Sequence, residues 1–203
     1  MKLVIATKNK NKIREIKDKF SDLSGLEIIS LTDFKDLPDV DEDGLTFKEN
    51  ALKKARVYSS FTGLTVLSDD SGLVIDVLSG EPGVRSARYS GENASDEGNN
   101  ALVLEKLKNV PDEKRAGRFM CVVAIVTPDG KEYFADGICE GRISRERAGT
   151  NGFGYDPIFY IPEIEKTMAE LTTQEKNKIS HRAKALEKAR EILIDLFGLK
   201  LTP

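Results

Sequence analysis

The strongest constraint on this chain is its opening. Residues 3–6 read Leu-Val-Ile-Ala, residues 7–12 read TKNKNK, and Ile13, Ile16 and Phe20 follow at spacings of three and four. The apolar run is too short for a helix and reads as a buried strand. The later spacing marks one face of a helix. Strand, polar turn and helix in that order open an α/β fold. The rest of the chain continues the pattern. Residues 26–30 read as a second strand, and residues 31–45 as a polar loop carrying Asp39, Asp41, Glu42 and Asp43. A helix starts near Thr46, whose hydroxyl and Glu49 have capping-box spacing, with Phe47, Ala51, Ala55 and Tyr58 as its buried stripe. Residues 64–67 form another strand, ended by Ser-Asp-Asp-Ser-Gly at 68–72, and residues 73–78 are a further extended run. A loop over 80–94 leads to a helix capped by Ser95. Residues 119–126 and 132–139 make a hairpin, a glycine-rich loop spans 149–156, and the C-terminal third is helical, closed by Gly198. No repeat or linker interrupts residues 1–203, so the expectation is one α/β domain.

Composition narrows the function classes. A length of 203 residues suits one large domain or two small lobes, and a formal net charge of -3 argues against a protein that coats nucleic acid. Two cysteines are too few for a disulfide framework. A tight two-residue turn at Asp129-Gly130 would set Cys121 opposite Ile138 and point Cys139 to the other face. Buried free thiols follow, and they fit a reducing compartment. No stretch reaches the roughly 20 apolar residues that span a bilayer. The N-terminus enters a strand directly, without a signal peptide's apolar core. The expected location is cytoplasmic, with no membrane and no nucleic-acid partner.

Four segments carry candidate chemistry. Thr7, Lys8, Asn9, Lys10, Asn11 and Lys12 lie between a strand's end and a helix's start, where backbone N–H groups and the helix dipole attract phosphate. The glycines of a Walker loop are absent, and a solvated lysine turn is the plain alternative. Asp69 and Asp70 follow a buried strand, where adjacent carboxylates repel unless a cation offsets them. A hard divalent cation resolves that conflict, and an Asx-type turn using Ser71-Gly72 is the other reading. Phe153, Gly154, Tyr155 and Asp156 pair glycine with aromatics, which lets a flat ligand lie on a ring while the backbone comes close. Lys176 precedes Ser180-His181-Arg182, where Ser180 is placed to cap the last helix. His181 is the only histidine of the chain, which excludes a multi-histidine metal site. Lys54 borders the apolar face of the capped helix, within reach of either phosphate or water.

Taken together, these segments resemble the inosine/xanthosine triphosphate pyrophosphatases, the Ham1-like family. The blocks run in order along the chain: TKNKNK at 7–12, LTFKENALKKAR at 45–56, SDDSGL at 68–73, PGVRSARYSG at 82–91, AGTNGFGYDPIF at 148–159 and AELTTQEKNKISHRAKAL at 169–186. The resemblance implies a long central mixed sheet flanked by helices, in two lobes with a substrate cleft, usually in a homodimer that uses Mg2+. It implies hydrolysis of ITP, dITP, XTP and dXTP to the monophosphate and pyrophosphate. By motif position, Thr7, Asn9 and Lys12 would hold the triphosphate, with Lys54 and Arg182 reaching the same charge. Asp70 would bind the metal and act on water, beside Asp69, with Glu42 as the partner ligand and Ser71 touching substrate. Phe153, Gly154, Tyr155, Asp156, Lys176, His181 and Arg182 would enclose and read the base. Lys8 stands where the family often has glycine, which leaves its own role open. The acid-rich loop leaves Asp41, Glu42 and Asp43 as alternatives for the second ligand. Competing readings are a Maf-like pyrophosphatase acting on pyrimidine or modified nucleotides, and a nucleotide-binding module without turnover. A nucleic-acid binder built on the N-terminal lysines is disfavoured by net charge.

Overall fold

The computed structural model describes residues 1–201. The elements in chain order are β1 (Lys2–Ile5), α1 (Lys10–Lys19), β2 (Leu23–Ser24), β3 (Glu27–Ser30), α2 (Phe47–Thr62), β4 (Thr65–Ile75) and α3 (Asp96–Lys106). They continue with β5 (Ala116–Val126), β6 (Glu132–Ile143), β7 (Phe159–Ile161), β8 (Lys166–Thr167), α4 (Thr173–Ile179), α5 (His181–Phe197) and β9 (Lys200–Leu201). The central sheet is mixed, in the order β3-β1-β4-β5-β6-β7-β8, and β2 pairs with β9 in a small ribbon. Strand β1 lies parallel to β3 and to β4, with Val4 beside Ile29 and Val66. Strand β7 runs antiparallel to β6 and β8. Leu3, Val4 and Ile5 are all buried. That is why β1 reads as a continuous apolar run rather than an alternating one.

The chain divides into two compact units. The first holds Met1–Asp70, Cys121–Gly137 and the chain from Arg182 onward, and the second holds Ser71–Met120 and Ile138–His181. In the first unit the alternation of strand side chains sorts the core into two layers. Leu3, Ile5, Leu67, Cys121 and Val123 pack against Ile16 and Phe20 of α1 and Ala185, Leu186, Ala189 and Leu193 of α5. Val4, Val66, Ala124 and Val126 have the opposite parity and pack against Ala51, Ala55 and Tyr58 of α2. Each fully buried aliphatic side chain contributes about 1.5–3 kcal/mol relative to exposure. The second unit's core joins Leu73, Ile75, Phe119, Ile143 and Phe159 of its strands to Val103 and Leu107 of the α3 region. At its edge Arg115 is only 2% exposed and donates to the carbonyls of Leu107, Ile143 and Ser144.

Both caps expected on α2 and α3 are present: Thr46 and Glu49 exchange hydrogen bonds, and Ser95 accepts from Gly98 N–H. Three local expectations are corrected. The segment at 68–72 is no turn; β4 runs unbroken to Ile75, followed by a short 3-10 turn at Asp76–Leu78. The low strand propensity of Ser-Asp-Asp-Ser-Gly is overridden by partners for each buried carboxylate, described below. The hairpin turn is one residue longer than a two-residue turn at Asp129-Gly130, since Thr127 N–H donates to Lys131 O and Gly130 N–H to Thr127 O. Cys121 and Cys139 are nevertheless both buried thiols outside any disulfide. Finally, α1 begins at Lys10, so the second half of TKNKNK is helix rather than turn.

Gly72 is needed for space rather than for an unusual φ. A Cβ built there lies 2.3 Å from Ser86 Oγ and 2.5 Å from Gly83 O. Ser86 cannot swing aside freely, because its hydroxyl accepts from Leu73 N–H and donates to Gly83 O. Gly72→Ala is therefore expected to destabilise the protein by roughly 1–3 kcal/mol, the usual range for overpacking, read as a lower urea midpoint. A change below about 0.5 kcal/mol, the scatter of neutral surface substitutions, would show that this approach is slack.

Candidate active site

Strand β4 outruns its parallel neighbour. Ala6 N–H donates to Leu67 O, and the chain then leaves β1 to start α1, so Ser68, Asp69 and Asp70 extend beyond the carboxyl end of β1. In open α/β sheets ligands gather at that end of the strands. Alternation then sends the two carboxylates to opposite faces. Asp69 shares the parity of Leu67 and faces the α1 and α5 layer; Asp70 shares that of Val66 and faces α2.

Asp69 is buried and meets two cations. Lys12 Nζ is 2.8 Å and Arg182 Nε 3.3 Å from its Oδ2. Arg182 in turn places Nη1 2.7 Å from Glu15 Oε2. Burial pushes the Asp69 carboxyl up, but Lys12, Arg182 and Lys54 more than offset this and hold it well below the usual carboxylate range. Removing one partner of a buried ion pair typically costs about 3–5 kcal/mol, because the other charge stays buried. Arg182 is held well above its ordinary value: burial disfavours its charge, and Asp69 and Glu15 outweigh that.

Asp70 has a different environment. Its Oδ2 accepts from Asn50 Nδ2 at 3.0 Å. Burial, aided by the negative Glu42, pushes its carboxyl up to about 6, against the pull of Lys54. Asn50 also links this carboxylate to the acidic loop, since its Oδ1 accepts from Gly44 N–H at 2.7 Å. One helical turn on, Lys54 Nζ donates to Glu42 Oε1 at 3.0 Å and to Asp69 O at 2.8 Å. Asp43 instead pairs with half-buried Lys53. Of the three acids left open by sequence, Glu42 is the one the fold sets against Lys54 and within the field of Asp70. Asn50 and Glu15 escaped the sequence reading. The signal for Asn50 was present: it interrupts an apolar stripe one turn before Lys54, and residues four apart share a helix face.

The residues at 7–12 are arranged by capping. Asn9 is the N-cap of α1, and its Oδ1 accepts from Asn11 and Lys12 N–H. Asn9 N–H donates to Thr7 Oγ1 at 3.2 Å. Two of the amides expected to face an anion are thus already taken by a side chain. Positive charge here comes from Lys8 and Lys10, both exposed, and from half-buried Lys12. Ser71 begins the second unit's share of β4 and is half-buried.

In the second unit, the glycine-aromatic loop and α4 meet at one carboxylate. Asp156 Oδ2 accepts from Phe153 N–H at 2.9 Å and from Lys176 Nζ at 2.6 Å. The same ammonium lies 4.6 Å from the Phe153 ring centroid, a cation–π distance. Tyr155 is buried, and its hydroxyl donates to Ser86 O. Gly154 takes φ +64°. His181 stacks on Phe119 with centroids 4.7 Å apart. Ser180 lies in extended backbone between α4 and α5. Of the expected Ser-His-Arg group, His181 belongs to this unit and Arg182 to the first.

Comparison with known proteins identifies the family. The model of the Ham1 family matches residues 3–192. The chain belongs to the Ham1 family. It is 50% identical to a dITP/XTP pyrophosphatase of Desulforamulus reducens, over 97% of this chain and 98% of that protein. It is 54% identical to the protein of that name from Geobacter sulfurreducens, over 91% and 92% of the two chains. The solved Ham1 protein of Staphylococcus aureus superposes with a TM-score of 0.88 at 41% identity, covering 97% of this chain and all of that one (100%). A Ham1 protein from Coxiella burnetii gives 0.89 at 44% identity, with 96% and 99% covered. Among the described residues of this Ham1 chain, no helix is long and apolar enough to cross a membrane.

The Asp70 environment has a consequence for stability. The fold favours the protonated carboxyl, so this group's stabilisation is complete below its ordinary value near 3.8 and is lost as pH rises through about 6. Asp70→Asn mimics the neutral form. In EDTA, the variant's thermal stability relative to wild type should therefore grow between about pH 4 and 7, toward roughly 3 kcal/mol. Melting curves across that range test this. A difference that stays flat with pH would mean that the Asp70 carboxylate is well solvated.

Proposed function

We propose that this Ham1-family chain hydrolyses deaminated purine nucleoside triphosphates (ITP, dITP, XTP and dXTP) to the monophosphate and pyrophosphate, removing them from the nucleotide pool. The observation that carries the reading is the split character of the two β4 carboxylates. Asp69 is neutralised by Lys12 and Arg182, whereas Asp70, raised to about 6, lies within the field of Glu42. The near-full-length identity to proteins named dITP/XTP pyrophosphatase supplies the substrate class.

Asp70 and Glu42 fit a hard divalent cation. They are oxygen donors, and the negative Glu42 disfavours ionisation of Asp70 until a cation offsets it. Mg2+ commonly uses one or two carboxylates together with substrate phosphate oxygens. When bound, it would supply charge neutralisation at the phosphates. The protein's own groups do the rest. Lys12 and the exposed Lys8 and Lys10 bind the triphosphate, together with Thr7, Asn9 and Asn11. Lys54 holds Glu42 in place and adds charge. Asp70 orients a water for attack at the α-phosphorus and takes its proton; a group poised near neutral pH suits that task. The new P–O bond forms as the anhydride bond to the β-phosphate breaks, and pyrophosphate carries the electron pair away.

Base selection falls to the second set. Phe153 offers a ring face, Gly154 close backbone approach, and Lys176 and His181 donors suited to a 6-keto oxygen. Arg182, its plane fixed through Nε and Nη1, is a further donor. Adenine presents an amino donor at that position, so it would leave site donors unpaired. A homodimer is what the family resemblance implies, and the two buried thiols suit a reducing, cytoplasmic setting.

A turnover assay with Mg2+ tests the whole reading. Pyrophosphate and monophosphate should appear in equal amounts from ITP and XTP, with ATP poor. Asp70→Asn should lower turnover at least ~10²-fold, the low end for losing a general base. Release of orthophosphate and a nucleoside diphosphate would mean attack at the γ-phosphorus and would sink the assignment.

A further inference from the structure

The glycine-rich loop at 149–156 has little conformational preference of its own. Gly149, Gly152 and Gly154 take φ of +79°, +78° and +64°, and such residues lose the most freedom on ordering. Something else must hold the loop, and at Gly154 it is the first turn and a half of α3. The Gly154 N–H donates to Asp96 Oδ2 at 2.7 Å, and its carbonyl accepts from Asn100 Nδ2 at 2.8 Å. The same Nδ2 also donates to Asp96 O at 2.5 Å. Both polar groups of one glycine are therefore tied to one helix.

Asn100 is fully buried (0% exposed). Two carbonyls face its amide nitrogen, which settles the orientation of the carboxamide. Its Oδ1 is then buried with no hydrogen-bond partner among the described residues. A buried acceptor left in that state costs free energy. For packing alone, an apolar side chain of the same shape would serve better, so the asparagine is explained by what its nitrogen holds. Its neighbour Asn99 does similar work on the loop before α3. Asn99 Oδ1 accepts from Ser90 N–H and Oγ, and its Nδ2 donates to Ser86 O and Ala87 O. Tyr155 OH meets that same Ser86 carbonyl at 2.8 Å.

We propose that Asp96 and Asn100 are positioning residues that set the chain's discrimination between 6-keto and 6-amino purine nucleotides by fixing the Gly154 peptide. The proposal rests on the reading that this loop contacts the base. Gly154 adjoins Phe153, whose ring lies against Lys176 and whose N–H is held by Asp156. Movement at Gly154 is thus passed to the ring platform and to the Asp156–Lys176 pair. Hydrogen bonds to a base edge weaken steeply with misalignment. A loosened loop gives up the base-dependent part of binding and leaves the phosphate part alone.

The test compares kcat and KM for ITP and ATP in wild type, Asn100→Leu, Asp96→Ala, Asp96→Asn and Lys176→Met. Asn100→Leu and Asp96→Ala should each narrow the ITP-to-ATP ratio of kcat/KM about five- to tenfold, the scale of one neutral hydrogen bond. The change should come mainly from a raised KM for ITP. Asp96→Asn keeps an acceptor for Gly154 N–H and should retain the wild-type ratio. Asp96 is exposed, so its variants remain informative even if Asn100→Leu does not fold. Parallel losses for ITP and ATP in Asn100→Leu and Asp96→Ala would overturn the proposal in favour of a merely structural role. Lys176→Met separates the two levels. If it narrows the ratio while the α3 variants leave it unchanged, the positioning role fails and base reading by the loop stands. If it too leaves the ratio unchanged, base reading by this loop fails and the positioning role with it.

Discussion

The first unit is organised around one buried carboxylate. Asp69 cannot stay ionised in the protein interior without cations, and its two side-chain partners come from opposite ends of the sequence, Lys12 from α1 and Arg182 from α5. That single demand brings the first and last long helices of the unit to the end of β4. The same electrostatics place Lys54 on the carbonyl of Asp69 from the α2 side. A strand that ended at Leu67 would satisfy the apolar core of the first unit. The strand continues because its next residues have partners waiting on both faces.

The other carboxylate shows what the cations leave undone. Asp70 is adjacent in sequence but on the opposite face, where it accepts from a neutral amide, Asn50. Two neighbouring acids with the same intrinsic acidity are thereby driven apart, one far below and one above its ordinary value. Such divergence is how a site assigns distinct roles to chemically identical groups. The separation follows from the pleat, which sends successive side chains to different layers.

Much of this was legible in sequence, and the failures share a cause. The strand–helix opening, the capped α2 and α3, the hairpin and the apolar stripe of α5 all follow from short-range periodicity and capping chemistry. The break placed at 68–72 was wrong because the sequence there has the composition of a turn. Only distant residues (Lys12, Asn50, Arg182) make it a strand. The choice among Asp41, Glu42 and Asp43 was open for a similar reason, because it depends on which lysine of α2 faces inward. Lys54 is buried and Lys53 is not, a distinction of 100° around a helix. Asn50 and Asn100 were missed because a buried asparagine has no sequence signature beyond interrupting an apolar stripe. The division into two units crosses β4, β5 and β6. No linker marks it there, because those boundaries fall inside continuous strands.

Arg115 has a consequence for how the second unit comes apart. Its three carbonyl partners lie 8, 28 and 29 residues away, at the end of α3 and at the end of β6. Losing any one of them would strand a guanidinium N–H in an environment with little water. Local fraying at either end is therefore penalised at the other, and the two segments should open together or not at all. None of the three acceptors can titrate, and the guanidinium keeps its proton throughout the range in which proteins fold. This joint is thus indifferent to the acidity of its surroundings. In one chain, a scaffold tie that ignores pH coexists with a carboxyl group tuned to respond to it.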